Sequence, residues 1–231
     1  MTQTRADHWN VVPIKHLVRM VGGGTPSKDQ PDFWNGDIPW VSPKDMKRWI
    51  VQDAQDQISS EAVASSRLPL IEPGAVLIVV RGMILAHSFP VALSGERMTI
   101  NQDMKALIAR PGVHSPFLAY ALVGLRHLVF GAVDEAGHGT KALRMEPFGL
   151  IPVALPSFPK QQMIAAFLDR ETAKIDGLIV RIAGADWQST VDARQVGGML
   201  GGLIERRTAL ITAAVTGQID VTAPTLTEAA A

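Results

Sequence analysis

Apolar side chains recur at Ile164, Leu168, Ile175, Leu178 and Ile182 within PKQQMIAAFLDRETAKIDGLIVRI, residues 159–182. Steps of four and three, broken once at Glu171, average 3.5 residues and paint a narrow seam along a helix. Pro159 suits the first turn, where its missing N–H costs nothing. Glu171, three residues before Lys174, adds a helix-supporting pair. At about 1.5 Å per residue the helix is roughly 35 Å long, about one turn of B-DNA. An amphipathic helix commonly packs on its own domain, but a seam this narrow favours a helical partner.

Downstream the pattern is interrupted by Gly184, Gly197, Gly198, Gly201 and Gly202. Each glycine inside a helix costs about 1 kcal/mol relative to alanine. Residues 183–194 therefore read as a turn or insertion. A second helix is predicted from about Val196 to Thr216, with Val196, Leu200, Leu203, Leu210 and Ala214 on one face and Gly217 as its stop. The two helices are expected to pack antiparallel, and the tail VTAPTLTEAAA to be disordered.

Upstream the period changes. HWNVVPIKHLVRMV, residues 8–21, reads as a strand or turn and then a short helix. GGGTPSKDQPDFWNGDIPWVSPKDMKRWI, residues 22–50, is dense in turn formers interleaved with Phe33, Trp34, Trp40 and Trp49, which suggests an ordered irregular loop system. A helical turn is expected over residues 58–66. Pro73-Gly74 marks a turn into Ala75–Val80, AVLIVV, a buried strand, and Met104–Ala109 is a second. PFLAYALVGLRHLVF, residues 116–130, reads as one largely buried helix, residues 131–144 as a polar loop, and Ile151–Leu155 as an edge strand or linker. The expected fold is α+β. A globular mixed α/β head spans residues 1–156, a coiled-coil-like antiparallel helical hairpin 157–217, and a disordered tail 218–231.

The bulk properties narrow the function. The 231 residues hold 22 basic and 22 acidic side chains, so the formal net charge is zero. That weighs against a free-standing nucleic-acid binder, which carries a positive excess. Residues 1–150 hold 15 basic and 14 acidic groups, and the remainder 7 and 8, so neither part is basic. With no cysteine, no disulfide framework or thiolate metal site can form. No run of about 18 apolar residues exists to span a membrane, and MTQTRADHWN lacks an apolar secretory core. A cytoplasmic protein with no membrane partner is expected.

Catalytic signatures are sparse. GGGTPSK resembles a phosphate-binding loop only in composition, and no GxGxxG or HExxH occurs. The six histidines show no ligand spacing, and no cofactor or metal site is expected in this chain. Pro31-Asp32 followed by Asp45-Met46-Lys47 fits a loose nuclease signature, in which Asp32 and Asp45 would hold Mg²⁺ and Lys47 would steady a water. Such carboxylates sit on adjacent strands, whereas Pro39 and Pro43 make this stretch a poor strand pair. The basic groups have another use. Lys44, Lys47 and Arg48 cluster beside Trp40 and Trp49, Arg81 follows a strand end, and His138, Lys141 and Arg144 lie in a Gly-rich loop. These seven are candidate DNA contacts, reaching phosphates or guanine edges.

Seven segments in order carry a family resemblance: GGTPSK (23–28), FWNGDIPWVSPKDMK (33–47), Arg81-Gly82, INQDMKAL (100–107), GTKALRMEPFGLIPVALP (139–156), QQMIAAFLDRETAKID (161–176) and ERRTALITAAVTGQID (205–220). Together they resemble the specificity subunit of type I restriction-modification systems. The resemblance implies a target-recognition domain that reads half of a bipartite double-stranded DNA site. It also implies helical regions that space two such domains and dock methyltransferase and restriction subunits. Catalysis would rest with those partners, with S-adenosylmethionine, ATP and Mg²⁺. Such subunits have two recognition domains and two helical regions. This chain has one of each, so it resembles a half-subunit, or a truncated or split member. A homodimer reading an interrupted palindrome is expected. Ile164, Leu168, Ile175, Leu178, Ile182, Leu203 and Leu210 are the expected hairpin and dimer contacts. The Gly-rich stretch 184–202 departs from the family's continuous helix, and Pro147 stands where an acidic residue is usual. A pure interaction module that binds methyltransferase subunits without reading DNA is the alternative, and the Mg²⁺ nuclease a further one.

Overall fold

In the computed structural model of the chain, Val76–Val79 is buried at all four positions, as an unbroken apolar run in a central strand must be. The structure describes residues 9–136, 139–184 and 198–221. The strands, in chain order, are β1 (Asn10–Pro13), β2 (Val18–Gly22), β3 (Ile38–Val41), β4 (Ile50–Val51), β5 (Gln57–Ile58), β6 (Val76–Val79), β7 (Val91–Ser94), β8 (Thr99–Ile100), β9 (Met104–Ala109), β10 (Val133–Glu135), β11 (Lys141–Leu143) and β12 (Pro152–Leu155). The helices are α1 (Ile14–Leu17), α2 (Ser60–Ser65), α3 (Ser115–Gly124), α4 (Arg126–Phe130), α5 (Met145–Leu150), α6 (Phe158–Ala183) and α7 (Gly198–Val215). The fold is α+β. It forms two units interleaved in sequence: a sheet unit of Pro13–Pro111 and Arg126–Ile151, and a helical unit of Met1–Val12, Gly112–Leu125 and Pro152–Ala231.

In the sheet unit, a five-stranded sheet runs β2-β9-β6-β7-β4. Its pairs are antiparallel except β4 with β7. Beside it a three-stranded sheet runs β5-β3-β8, antiparallel on one side of β3 and parallel on the other. β3 contains Pro39, so the expectation of a poor strand there is corrected. The Trp40 N–H donates to the Asp56 carbonyl at 2.9 Å, and the Pro39 carbonyl accepts from Thr99 Oγ1 at 3.3 Å. The ladder uses the bonds that proline leaves available. The polar loop expected over residues 131–144 is a β-hairpin, β10 against β11, with Val133 opposite Leu143 and Glu135 opposite Lys141.

The helical unit is built from α3, α6 and α7, which pack on one another. Phe117 through Leu122 are all buried in α3, as a helix apolar on every side requires. The helix predicted to run unbroken over residues 116–130 ends at Gly124, and α4 belongs to the sheet unit. The boundary read at residue 156 is replaced accordingly: Gly112–Leu125 joins the C-terminal helices. Gly124 permits the close approach of α7, because a Cβ there would lie 2.7 Å from a Val215 methyl carbon. Gln161, 1% exposed, is fully bonded. Its Oε1 accepts from the His114 N–H at 2.8 Å, and its Nε2 donates to the Gly112 and Pro156 carbonyls at 3.0 and 2.9 Å.

The hairpin of α6 and α7 is antiparallel: Lys160 pairs with Asp220 at 3.5 Å, and Asp176 with Arg207 at 2.7 Å. At 26 residues α6 is about 39 Å long. Its buried series is Ile164, Leu168, Thr172, Ile175 and Ile179, so the stripe passes through Thr172 where the sequence shows a break at Glu171. Ile164 to Ile175 is an eleven-residue step over three turns, the spacing of a nearly straight helix. Leu178 and Ile182 fall off this stripe and are 45% and 49% exposed, which corrects their reading as hairpin contacts. Ile179 takes that place, in a cluster with Ile175 and Ile204 against which Leu203 and Leu210 pack. Among the described residues, no helix is long and apolar enough to cross a membrane.

Candidate nucleic-acid interface

The residues read as DNA contacts lie in the sheet unit, on either side of one turn. β8 delivers the chain to Asn101–Asp103, and β9 leaves it. Asn101 Oδ1 accepts from the Asp103 N–H at 3.0 Å, the local bond that makes asparagine a turn former. The Asn101 N–H donates to the Val41 carbonyl at 2.9 Å, joining the turn to the end of β3. Just beyond that end, Ser42 opens the 3₁₀ turn Pro43–Asp45 that carries Lys44. On the other side, the Asp103 carbonyl accepts from the Val80 and Arg81 N–H groups at 2.8 and 3.2 Å. Val80 and Gly82 then hold β11: Leu143 N–H donates to the Val80 carbonyl at 2.8 Å, and Gly82 N–H to the Lys141 carbonyl at 3.0 Å.

The turn thereby separates two basic groups. On one side are Lys44, Lys47 and Arg48, with Lys47 half-buried and the other two exposed. On the other are Arg81, Lys141 and Arg144, where Arg81 bridges to Ala142. His138 lies outside the described residues. An open recess of about 600 Å³ beside the turn is lined by Thr25, Lys28, Trp40, Ser42, Lys44, Asp56, Asn101 and Gln102 among others. Thr25, Lys28, Ser42, Asn101 and Gln102 went unnamed in the sequence, because only tertiary pairing brings GGTPSK to INQD. Gly23 makes that pairing possible, since a Cβ there would lie 2.0 Å from the Ile100 carbonyl oxygen. The Thr25 hydroxyl donates to Gln102 Oε1.

The tryptophans hold this loop. Trp40 Nε1 donates to the Gly24 carbonyl at 2.9 Å, and Trp34 Nε1 to the Ser27 carbonyl at 3.0 Å. Their rings meet edge to face at 5.0 Å, and Trp40 sits in a buried cluster with Phe33, Ile58 and Ala62. They anchor the loop, and Trp40 is largely buried, 8% exposed.

Three candidate cations are already paired. Lys44 meets Asp56 at 2.6 Å, Lys141 meets Glu135 at 3.1 Å, and Arg144 meets Asp134 at 2.7 Å. The bond to Asp56 raises the Lys44 ammonium above its usual value, and the bond to Asp134 does the same for Arg144. Arg81, Lys47 and Arg48 form no ion pair among the described residues.

Asp45 has another task than the nuclease signature would give it. Its Oδ2 accepts from the Ser42 N–H and hydroxyl at 2.9 and 2.8 Å, and its Oδ1 from the Gln55 N–H at 3.0 Å. It closes a capping box on the 3₁₀ turn. Asp32 lies in a separate 3₁₀ turn, Pro31–Trp34. Among the described residues, no three His, Asp or Glu side chains gather as a ligand set.

Comparison with known proteins adds to this geometry. A profile described as "Type I restriction modification DNA specificity domain" matches residues 6–178. The specificity subunit of the type I restriction enzyme EcoR124I/EcoR124II from Escherichia coli is 38% identical over 159 residues, 68% of this chain and 39% of that protein. The specificity subunit of the type I restriction enzyme MjaIX from Methanocaldococcus jannaschii is 30% identical over 164 residues, 69% of this chain and 37% of that protein. The crystal structure of the HsdS subunit from Thermoanaerobacter tengcongensis matches 92% of this chain with a TM-score of 0.56 at 18% identity, and 46% of that chain is covered. The chain thus spans less than half the length of these relatives.

Proposed function

Because the chain belongs to the family of type I restriction-modification specificity subunits, we propose that it is a DNA-reading targeting component with no catalysis of its own. In this reading the sheet unit faces double-stranded DNA across the Asn101–Asp103 turn. Lys44, Lys47, Arg48, Arg81, Lys141 and Arg144 hold phosphates or guanine edges, and side chains of the recess meet base edges. The observation that carries it is the turn itself: its backbone hydrogen bonds hold Val41, just before the Lys44 segment, and Val80 and Arg81. The helical unit docks methyltransferase and restriction subunits, which supply S-adenosylmethionine chemistry, ATP use and cleavage.

The chain covers well under half of its curated relatives, and we infer a two-fold homodimer that restores two recognition heads and reads an interrupted palindrome. Leu178 and Ile182, exposed one turn apart on α6, are the contacts assigned to it. Ile175 serves the hairpin within one chain, so substituting it would test folding and not dimerisation. The helices would then set half-site spacing.

Selection of sites from a random duplex library, by the chain alone and with a co-expressed methyltransferase subunit, tests the proposal. Enrichment of a bipartite palindrome is the expected result, and Leu178→Asp with Ile182→Asp reduces it to a single half-site. Co-purification with the methyltransferase but no enriched sequence overturns DNA reading and leaves an interaction module. Magnesium-dependent nicking by the chain alone, lost in Asp45→Ala, would instead point to a nuclease.

A further inference from the structure

The cations on either side of the Asn101–Asp103 turn are matched by carboxylates from their own fold. Asp56 approaches Lys44 from the bend just before β5, where its carbonyl also accepts the Trp40 N–H. Glu135 faces Lys141 directly across the β10–β11 ladder, and Asp134 reaches Arg144 from the same strand. All three acids are exposed, with side chains 41%, 64% and 55% accessible. Exposed pairs of this kind contribute little to stability. They are therefore not accounted for by folding, and two of them share one hairpin, whose register puts Glu135 opposite Lys141 and Asp134 opposite Ala142, just before Leu143 and Arg144.

Their effect on a polyanion is larger. A cation that neutralises a phosphate releases condensed counterions, and each such contact steepens the dependence of log K on log salt by about 0.9. A cation held by its own carboxylate must give that partner up first. The freed carboxylate then stays beside the phosphate and repels it. On random-sequence DNA nothing else offsets that repulsion.

Resting on the DNA-reading assignment above, we propose that Asp56, Asp134 and Glu135 are masking residues. They hold the chain's own affinity for random-sequence duplex low, so that base contacts or a DNA-binding partner subunit must supply the difference.

The test uses the full chain and fluorescence-labelled random-sequence duplex across a salt series. Three forms are compared: the unaltered chain, the variant Asp56→Asn/Asp134→Asn/Glu135→Gln, and a charge-matched variant Asp37→Asn/Glu61→Gln/Glu96→Gln. The control alters exposed carboxylates that pair with none of the three cations. Circular dichroism checks that each form is folded. Unmasking is expected to raise random-duplex affinity at least tenfold and to steepen the salt slope by about 2–3, from up to three released cations. The control should move the slope by less than about 1. Equal behaviour of the two variants overturns masking while leaving DNA reading intact. An unchanged slope with altered preference at one base pair also overturns it, because the carboxylate then reads a base, as an acid reads cytosine N4. If no form binds duplex even at the lowest salt, the DNA-reading assignment and the masking proposal both fall.

Discussion

The two units use ion pairs differently. In the helical unit, Asp176 and Arg207 join α6 to α7 with two bonds, at 2.7 and 3.2 Å, and their side chains are only 27% and 12% exposed. In the sheet unit, Arg144 and Asp134 meet at the same 2.7 Å but remain 62% and 55% exposed. Distance is therefore a poor guide to what a pair does. Where water is mostly excluded and the geometry is forked, a pair fixes the alignment of two helices. Where water competes, it contributes little and can be exchanged for another anion. The helical unit bonds both ends of the buried Gln161 amide, and the sheet unit lines an open recess with polar side chains.

That contrast can be broken at its strongest point first. Gln161→Leu keeps the volume but leaves the His114 N–H and the Gly112 and Pro156 carbonyls without their partner. Urea denaturation should show a loss of about 3 kcal/mol, since each deserted buried group costs about 1–3 kcal/mol. A loss below about 1 kcal/mol would mean water replaces the side chain. Double-mutant cycles to alanine sharpen the comparison next. Coupling between Asp176 and Arg207 should be about 1–2 kcal/mol, and that between Asp134 and Arg144 clearly smaller. Equal couplings would remove the distinction between the units.

The smallest effect concerns His114, which caps α3. Its buried Nδ1 has no hydrogen-bond partner among the described residues, and its ring meets Phe158 edge to face at 5.8 Å. Burial lowers its pKa, with Asp169 opposing in part. A folded value below the unfolded one means that the neutral ring's contribution is complete above about pH 6.5 and is lost as pH falls through the folded value. His114→Phe should flatten the fall in stability between pH 7 and pH 5 by less than about 1 kcal/mol. No change in that slope would place the titration elsewhere.

Much of the architecture was legible because it follows local periodicity. The apolar run of β6 and the long repeat of α6 each state their own burial, and the family segments state their order. Off-stripe Leu178 and Ile182 misled because a 3.5-residue seam and an eleven-residue repeat agree for two turns and then diverge. The α4 break and the β10–β11 hairpin were hidden for another reason. A three-residue strand has too few positions to show alternation, and only its partner's hydrogen bonds define it.

The sequence by itself determined the mixed α+β composition, the helical C-terminal part and the family, because those rest on residue order and local period. Tertiary structure alone decided that α3 belongs with the C-terminal helices, that GGTPSK lies on INQD, and that three of the candidate DNA contacts are paired with acids of their own fold. Those facts depend on contacts between residues far apart in the chain, and neither composition nor period carries that information.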